Sequence, residues 1–198
     1  MTRVFFIRHG RTSWNDDGRI QGHTDIPLSD AGRAELGALR VPLEYREWPV
    51  YASPLKRTLE TARLLRLKAP ALEPRLMEMH YGDWEGATWA ELEARYGEAL
   101  AARARRGLEF RPDGGESPAE LKLRLTSWLD DIGALGRDTV AVTHKGVIRM
   151  ALAMATGWDL VSKAPARLRW DCGHLFILPA GQPHALQVSA LNVALAPS

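Results

Sequence analysis

Val4-Phe5-Phe6-Ile7 is an unbroken apolar row of β-forming residues, and it gives way at once to Arg8-His9-Gly10 and a polar segment reaching Asn15. A continuous apolar run of this length, without alternation, predicts a strand buried on both faces, as in parallel sheets covered by helices. The pattern returns at Thr139-Val140-Ala141-Val142-Thr143, which runs into His144-Lys145-Gly146. Two buried strands thus each end in a histidine followed closely by glycine.

Helical signals fill the space between. Ser29-Asp30 offers N-cap chemistry to a helix over Ala31 to Leu39, and Pro42 follows its end. Val50-Tyr51-Ala52 reads as a strand, and Ser53-Pro54 opens a helix from Leu55 to about Leu67, with the proline near its first turn. Leu59, Ala62, Leu65 and Ala69 form its expected apolar face. Residues 87–109, rich in Ala, Glu, Leu and Arg, predict an exposed helical segment broken at Asp113-Gly114-Gly115. Glu116-Ser117-Pro118 starts another helix to about Ile132, and Gly146 to Thr156 a further one. Leu175-Phe176-Ile177-Leu178 and residues 186–193 are late strands. This alternation predicts a three-layer α/β/α sandwich around a mostly parallel central sheet. The chain reads as a single domain over 1–198 with a helical excursion at about 87–135.

The 198 residues are 45% hydrophobic and 25% charged, the composition of a globular domain rather than a disordered or fibrous chain. Lys and Arg total 26 against 24 Asp and Glu, too even a balance for nonspecific nucleic-acid binding. A lone cysteine, Cys172, excludes an intramolecular disulfide and a Cys-based zinc site, and fits a reducing, cytoplasmic setting. Val4 to Ile7 is too short for a secretory signal, and Val147 to Trp158 is too short to span a bilayer and carries Arg149. Neither a membrane nor a nucleic acid is an expected partner.

In parallel sheets ligands bind beyond the carboxyl ends of the strands, so His9 and His144 are expected on one rim. Arg8 beside His9 lowers the imidazole pKa, and a neutral imidazole can attack phosphorus while a guanidinium grips phosphoryl oxygens. Gly10 is expected to let backbone approach a ligand. Arg57 falls in the first turn of a helix, where the dipole already favours anions. Glu78 lies between apolar neighbours in Leu76-Met77-Glu78-Met79-His80-Tyr81-Gly82-Asp83-Trp84-Glu85-Gly86, and a half-buried carboxyl can hold the proton a leaving oxygen needs. His144, as imidazolium, would balance phosphoryl charge. Each of these has a plain alternative, a surface histidine, a solvated arginine or a glutamate in a turn; the weight comes from their convergence. His23, His80, His174 and His184 lack metal-ligand spacing and read as structural. Trp14 reads as packing its loop against the sheet, Tyr81 as lining a cleft and Trp84 as cleft or core. Arg103 to Arg106 read as a solvated helix face.

Arg8-His9-Gly10 with Thr12 and Asn15, Gln21-Gly22 with Asp25 to Ser29, the stretch Ser53 to Ala62, Glu78 with Gly82 to Gly86, Gly114-Gly115-Glu116-Ser117, and Thr143-His144 through Arg149 occur in order. Together they resemble the histidine phosphatase superfamily, also called phosphoglycerate-mutase-like, over roughly residues 3–155. Gly-Asp-Trp-Glu-Gly after Glu78 resembles the phosphatase branch, including α-ribazole phosphatase. The resemblance implies that His9 takes up a phosphoryl group from a small phosphorylated metabolite, while Arg8, Arg57 and His144 bind it. It implies that Glu78 protonates the leaving alkoxide and then activates water. Asn15, Gln21 and Gly22 are implied at the edge of the phosphate site, and no metal or other cofactor is implied. Where relatives carry glycine after the second histidine, this chain has Lys145, which either recruits a second anionic group or points into solvent. A phosphoglycerate mutase using the same phosphohistidine, and a noncatalytic phospho-ligand-binding protein, are the alternatives to a hydrolase.

Overall fold

A computed structural model describes residues 1–198 except 181, 183 and 184, so the expectation for His184 lies outside the described residues. The chain begins with β1 (Thr2–Arg8), α1 (Ser13–Asp16), α2 (Asp30–Gly37) and β2 (Leu39–Arg40). It continues through β3 (Val50–Ala52), α3 (Lys56–Leu64), β4 (Ala71–Leu72), α4 (Trp89–Tyr96), α5 (Glu98–Ala104) and α6 (Pro118–Leu135). It closes with β5 (Thr139–Thr143), α7 (Lys145–Thr156), β6 (Cys172–Leu178), β7 (Gln187–Ala194) and β8 (Ala196–Pro197).

One sheet has the order β4-β3-β5-β1-β6-β7, parallel from β4 to β1 and antiparallel at β6 and β7. β1 is central, and its unbroken apolar run feeds two cores at once. Val4 and Phe6 pack with Leu125, Trp128, Ile148 and Leu152 of α6 and α7. Phe5 and Ile7 point the other way, toward Leu36 of α2 and Ala62 of α3. Helices therefore cover both faces, which makes the architecture the expected α/β sandwich.

The local differences have physical causes. Pro54 stands ahead of the helix, because Leu55 is the N-cap and Lys56 the first helical residue. α3 ends at Leu64, and Arg66 then takes a left-handed φ of 54°. Its buried face is Arg57, Thr58, Thr61 and Ala62, while Ala69 lies exposed beyond the helix. Of the expected apolar face, Ala62 and Leu65 lie in the core and Leu59 packs against it, and the polar Arg57, Thr58 and Thr61 are buried beside them. Gly97, at φ 53°, splits the residues 87–109 into α4 and α5. β2, β4 and β8 have two residues each, too short to show any periodicity. Among the described residues no helix is long and apolar enough to cross a membrane.

Phe6 is fully buried, with Trp128 and Phe176 edge-on at 6.0 and 5.6 Å. Phe6→Ala should lower unfolding free energy by about 3–5 kcal/mol, read as a shift of the urea midpoint at unchanged slope.

Candidate active site

The β1–β5 ladder sets the site. Arg8 pairs in register with Thr143, and the His9 N–H then donates to the Thr143 carbonyl at 2.9 Å. His9 and His144 consequently leave adjacent strands side by side, with ring centroids 5.1 Å apart. β3 ends on the same rim, where the Ser53 N–H donates to Val142 O at 3.1 Å.

His9 is 4% exposed. Its Nδ1 lies 2.7 Å from the Gly10 carbonyl, which can only accept, so Nδ1 carries the proton and Nε2 keeps its lone pair. Burial first, then the charges of Arg8 and Arg57, hold its pKa well below 6.5. Arg8, the neighbour visible in the sequence, is thus the smaller cause and burial the larger. A neutral imidazole with a free Nε2 is a competent nucleophile.

Arg57, fully buried in the first turn of α3, donates from Nη1 to Thr24 O at 2.9 Å, from Nη2 to Gly22 O at 2.7 Å and from Nε to His144 Nδ1 at 3.3 Å. His144 must therefore accept at Nδ1, so its Nε2–H donates to Ser53 Oγ at 2.9 Å. Burial and the neighbouring Arg57 push the His144 pKa well below 6.5. This corrects the expected imidazolium: the ring is neutral and supplies hydrogen bonds, not charge. It also sits behind the cavity rather than in its lining.

Arg8, at the end of β1, has a buried Nε with no hydrogen-bond partner among the described residues and faces the Trp170 ring at 5.7 Å. That orphan donor is open to a ligand oxygen. Arg8, His9, Arg57 and Glu78 line one cavity of about 370 Å³, together with Asn15, Gln21, Gly22, Tyr81 and Lys145. The sequence-derived set thus converges on one cavity, His144 excepted. Asn15 Oδ1 is occupied by the Thr12 N–H at 3.1 Å, which leaves its amide nitrogen to donate. Gly22, at φ 57°, is required, since a Cβ there would lie 2.0 Å from Glu85 Oε1. Glu85 in turn accepts from the backbone of His23, Thr24 and Tyr81 and so ties this loop to the Glu78 segment.

Glu78 Oε1 accepts from the Met79 N–H at 2.9 Å and from the Gly146 N–H at 3.0 Å, at the N-terminus of α7. A Cβ on Gly146 would lie 2.2 Å from that oxygen. Gly10 has a different role from the one expected: a Cβ there would strike Leu36 Cδ1 at 2.4 Å, so its smallness serves packing on α2. Trp14 lines the cavity against Gly86 instead of packing on the sheet, whereas Trp84 is fully buried in the core. His23 and His80 stack at 4.6 Å, and His174 is buried in β6. Arg103 is not free in solvent; it pairs with Asp113 at 2.9 Å. Trp89, Trp170 and Arg149 also line the clefts, and only an isolated indole in a polar stretch hinted at Trp170. Among the described residues no group of three or more His, Cys, Asp or Glu side chains stands together as a metal site.

Residues 4–182 match the pattern of the histidine phosphatase superfamily (branch 1). The chain belongs to that family. Phosphoglycerate mutase-like protein 4 of Arabidopsis thaliana is 41% identical over 155 residues, 74% of this chain and 67% of the relative. The metal-independent phosphoserine phosphatase of the same plant is 35% identical, covering 75% of this chain and 66% of its own. A proposed alpha-ribazole-5'-P phosphatase of Escherichia coli superposes with a TM-score of 0.82 at 25% identity, over 98% of each chain. These likenesses support phosphatase or mutase activity.

Below pH 6.5 the unfolded chain protonates histidines that the fold keeps neutral, so it binds more protons and stability falls as pH drops. His9 and His144 should each contribute a slope of up to about 1.4 kcal/mol per pH unit. Urea midpoints between about pH 7.5 and 5.0 should fall accordingly, and a flat profile would contradict the buried neutral pair.

Proposed function

We propose that the protein is a phosphomonoesterase that works through a phosphohistidine on His9, the whole chain acting as one unit on a small phosphorylated metabolite. The supporting observation is the His9 Nε2 lone pair, free beside Arg8, Arg57 and Glu78 in one cavity. The Nε2 lone pair forms a bond to phosphorus as the P–O bond to the alcohol breaks. The departing oxygen keeps that electron pair and takes the proton of Glu78 in its acid form. Water then attacks the phosphohistidine and gives its proton to the Glu78 carboxylate. The N–P bond breaks, its electron pair returns to Nε2, and inorganic phosphate leaves.

Arg8 and Arg57 stabilise the charge that spreads over the equatorial oxygens, the role divalent metals fill in other phosphoryl-transfer sites. Asn15 and Gly22 border the phosphoryl site. His144 acts as a positioning residue by fixing the Arg57 guanidinium. Mutase chemistry would share the first half of this cycle and return the phosphoryl group to a second hydroxyl.

His9→Ala should reduce release of inorganic phosphate from 4-nitrophenyl phosphate to background while circular dichroism is unchanged; retained turnover would reject the covalent route. EDTA should leave the rate unaltered. Gly146→Ala should displace the Glu78 carboxyl and lower kcat about 10²-fold for an alkyl phosphate. The loss should be smaller for 4-nitrophenyl phosphate, whose phenolate leaves without a proton, and equal losses would remove Glu78 as the acid.

A further inference from the structure

The cavity around His9 adjoins a second one of about 400 Å³, and the two share Glu78, Tyr81, Trp89 and Lys145 along their common wall. Met79, Phe110, Leu121, Met150 and Leu160 give the second cavity a largely apolar lining. On the phosphomonoesterase reading, on which this step rests, the leaving oxygen sits at Glu78. The body of the alcohol then extends into the second cavity.

Two cations face that space. Lys145 and Arg149 lie one turn apart on α7, a spacing at which like charges repel. Neither makes an ion pair or a side-chain hydrogen bond among the described residues. Lys145 Nζ lies 5.6 Å from the Trp170 ring, and the Arg149 guanidinium 4.8 Å from that of Trp158. Among the described residues Glu78 is the sole acid lining either cavity, and Oε1 is already engaged by Met79 and Gly146. Lys145 is exposed at its outer side; partial burial, with Arg149 and Arg8 nearby, lowers its pKa against the opposing pull of Glu78. A pair of cations that make no ion pair among the described residues, beside an apolar cavity, suits an anion carried on an apolar body, and a guanidinium fork matches a planar carboxylate.

We infer that the second cavity selects phosphomonoesters whose alcohol carries a carboxylate and no ammonium, the carboxylate lying between Lys145 and Arg149. An ammonium on the substrate would meet these cations and Arg8 with no free acid to pair with.

Three esters with one phenolic leaving group test this: the phosphates of 3-(4-hydroxyphenyl)propanoate, of its primary amide, and of tyrosine. In the wild-type protein the carboxylate ester should exceed the amide about tenfold in kcat/KM, mostly through KM, with the tyrosine ester back near the amide. In the K145M/R149M double variant the carboxylate-to-amide ratio should fall to within about twofold. Equal turnover of carboxylate and amide esters by the wild type would overturn the inference and leave the phosphatase reading standing. A ratio that survives in the double variant would overturn the assignment to these residues. Release of phosphate from none of the three would overturn the phosphatase reading and this inference with it.

Discussion

The hydrogen bond from the His9 N–H to the Thr143 carbonyl is the last rung of the β1–β5 ladder, and the site hangs from it. Parallel pairing brings the carboxyl ends of both strands to one rim, and the register of Arg8 with Thr143 makes the following histidines neighbours. A one-residue slip would turn the side chains of β1 to the opposite faces, exchanging Phe5 and Phe6 between the two cores. Both cores therefore enforce the register that the site needs. Gly10 belongs to the same constraint, since its missing Cβ lets Leu36 of α2 close over the chain just after His9.

Beyond that rim the structure carries positive charge at a cost. Arg57 is fully buried, Arg8 partly so, and burial lowers both pKa values. Arg57 is held by the Gly22 and Thr24 carbonyls and the His144 ring rather than by a carboxylate. Neutral partners fix its geometry without cancelling its charge, which is what an anion site requires. The neutral state of His144 follows from the same arrangement: a proton on Nδ1 would abolish the acceptor that holds Arg57 Nε. Glu85, through the backbone of His23 and Thr24, holds the loop that presents those carbonyls.

The sequence showed the sandwich because its buried strands are continuous apolar rows and its helices carry clear caps, as at Ser29 and Ser117. It also showed which residues gather, since strand ends and a helix first turn are local features. What stayed illegible was orientation. Apolar periodicity found Leu59, Ala62 and Leu65 on the inner side of α3, but it could not show that Arg57, Thr58 and Thr61 turn inward too, where the site and its backbone bonds need them. The charge of His144 depended on burial and on a guanidinium 87 residues away in the chain, and neither can be read from its neighbours. Trp170 and the second cavity arise from segments that meet only in three dimensions.

α7 shows how one rigid element can serve several demands. Val147, Ile148, Met150 and Ala151 bury its inner side and fix it against the sheet. His144 is its N-cap residue, so the ring that orients Arg57 moves only if the helix moves. Gly146, in its first turn, offers an N–H to Glu78 and has no Cβ to push the carboxyl away. Lys145 and Arg149 lie one turn apart on it and both line the second cavity. The helix thus couples the placement of the acid to the placement of the cations that face the second cavity. Both distances are fixed by helical geometry rather than by loop conformation, and a substrate that spans from Glu78 to Arg149 meets a preorganised frame.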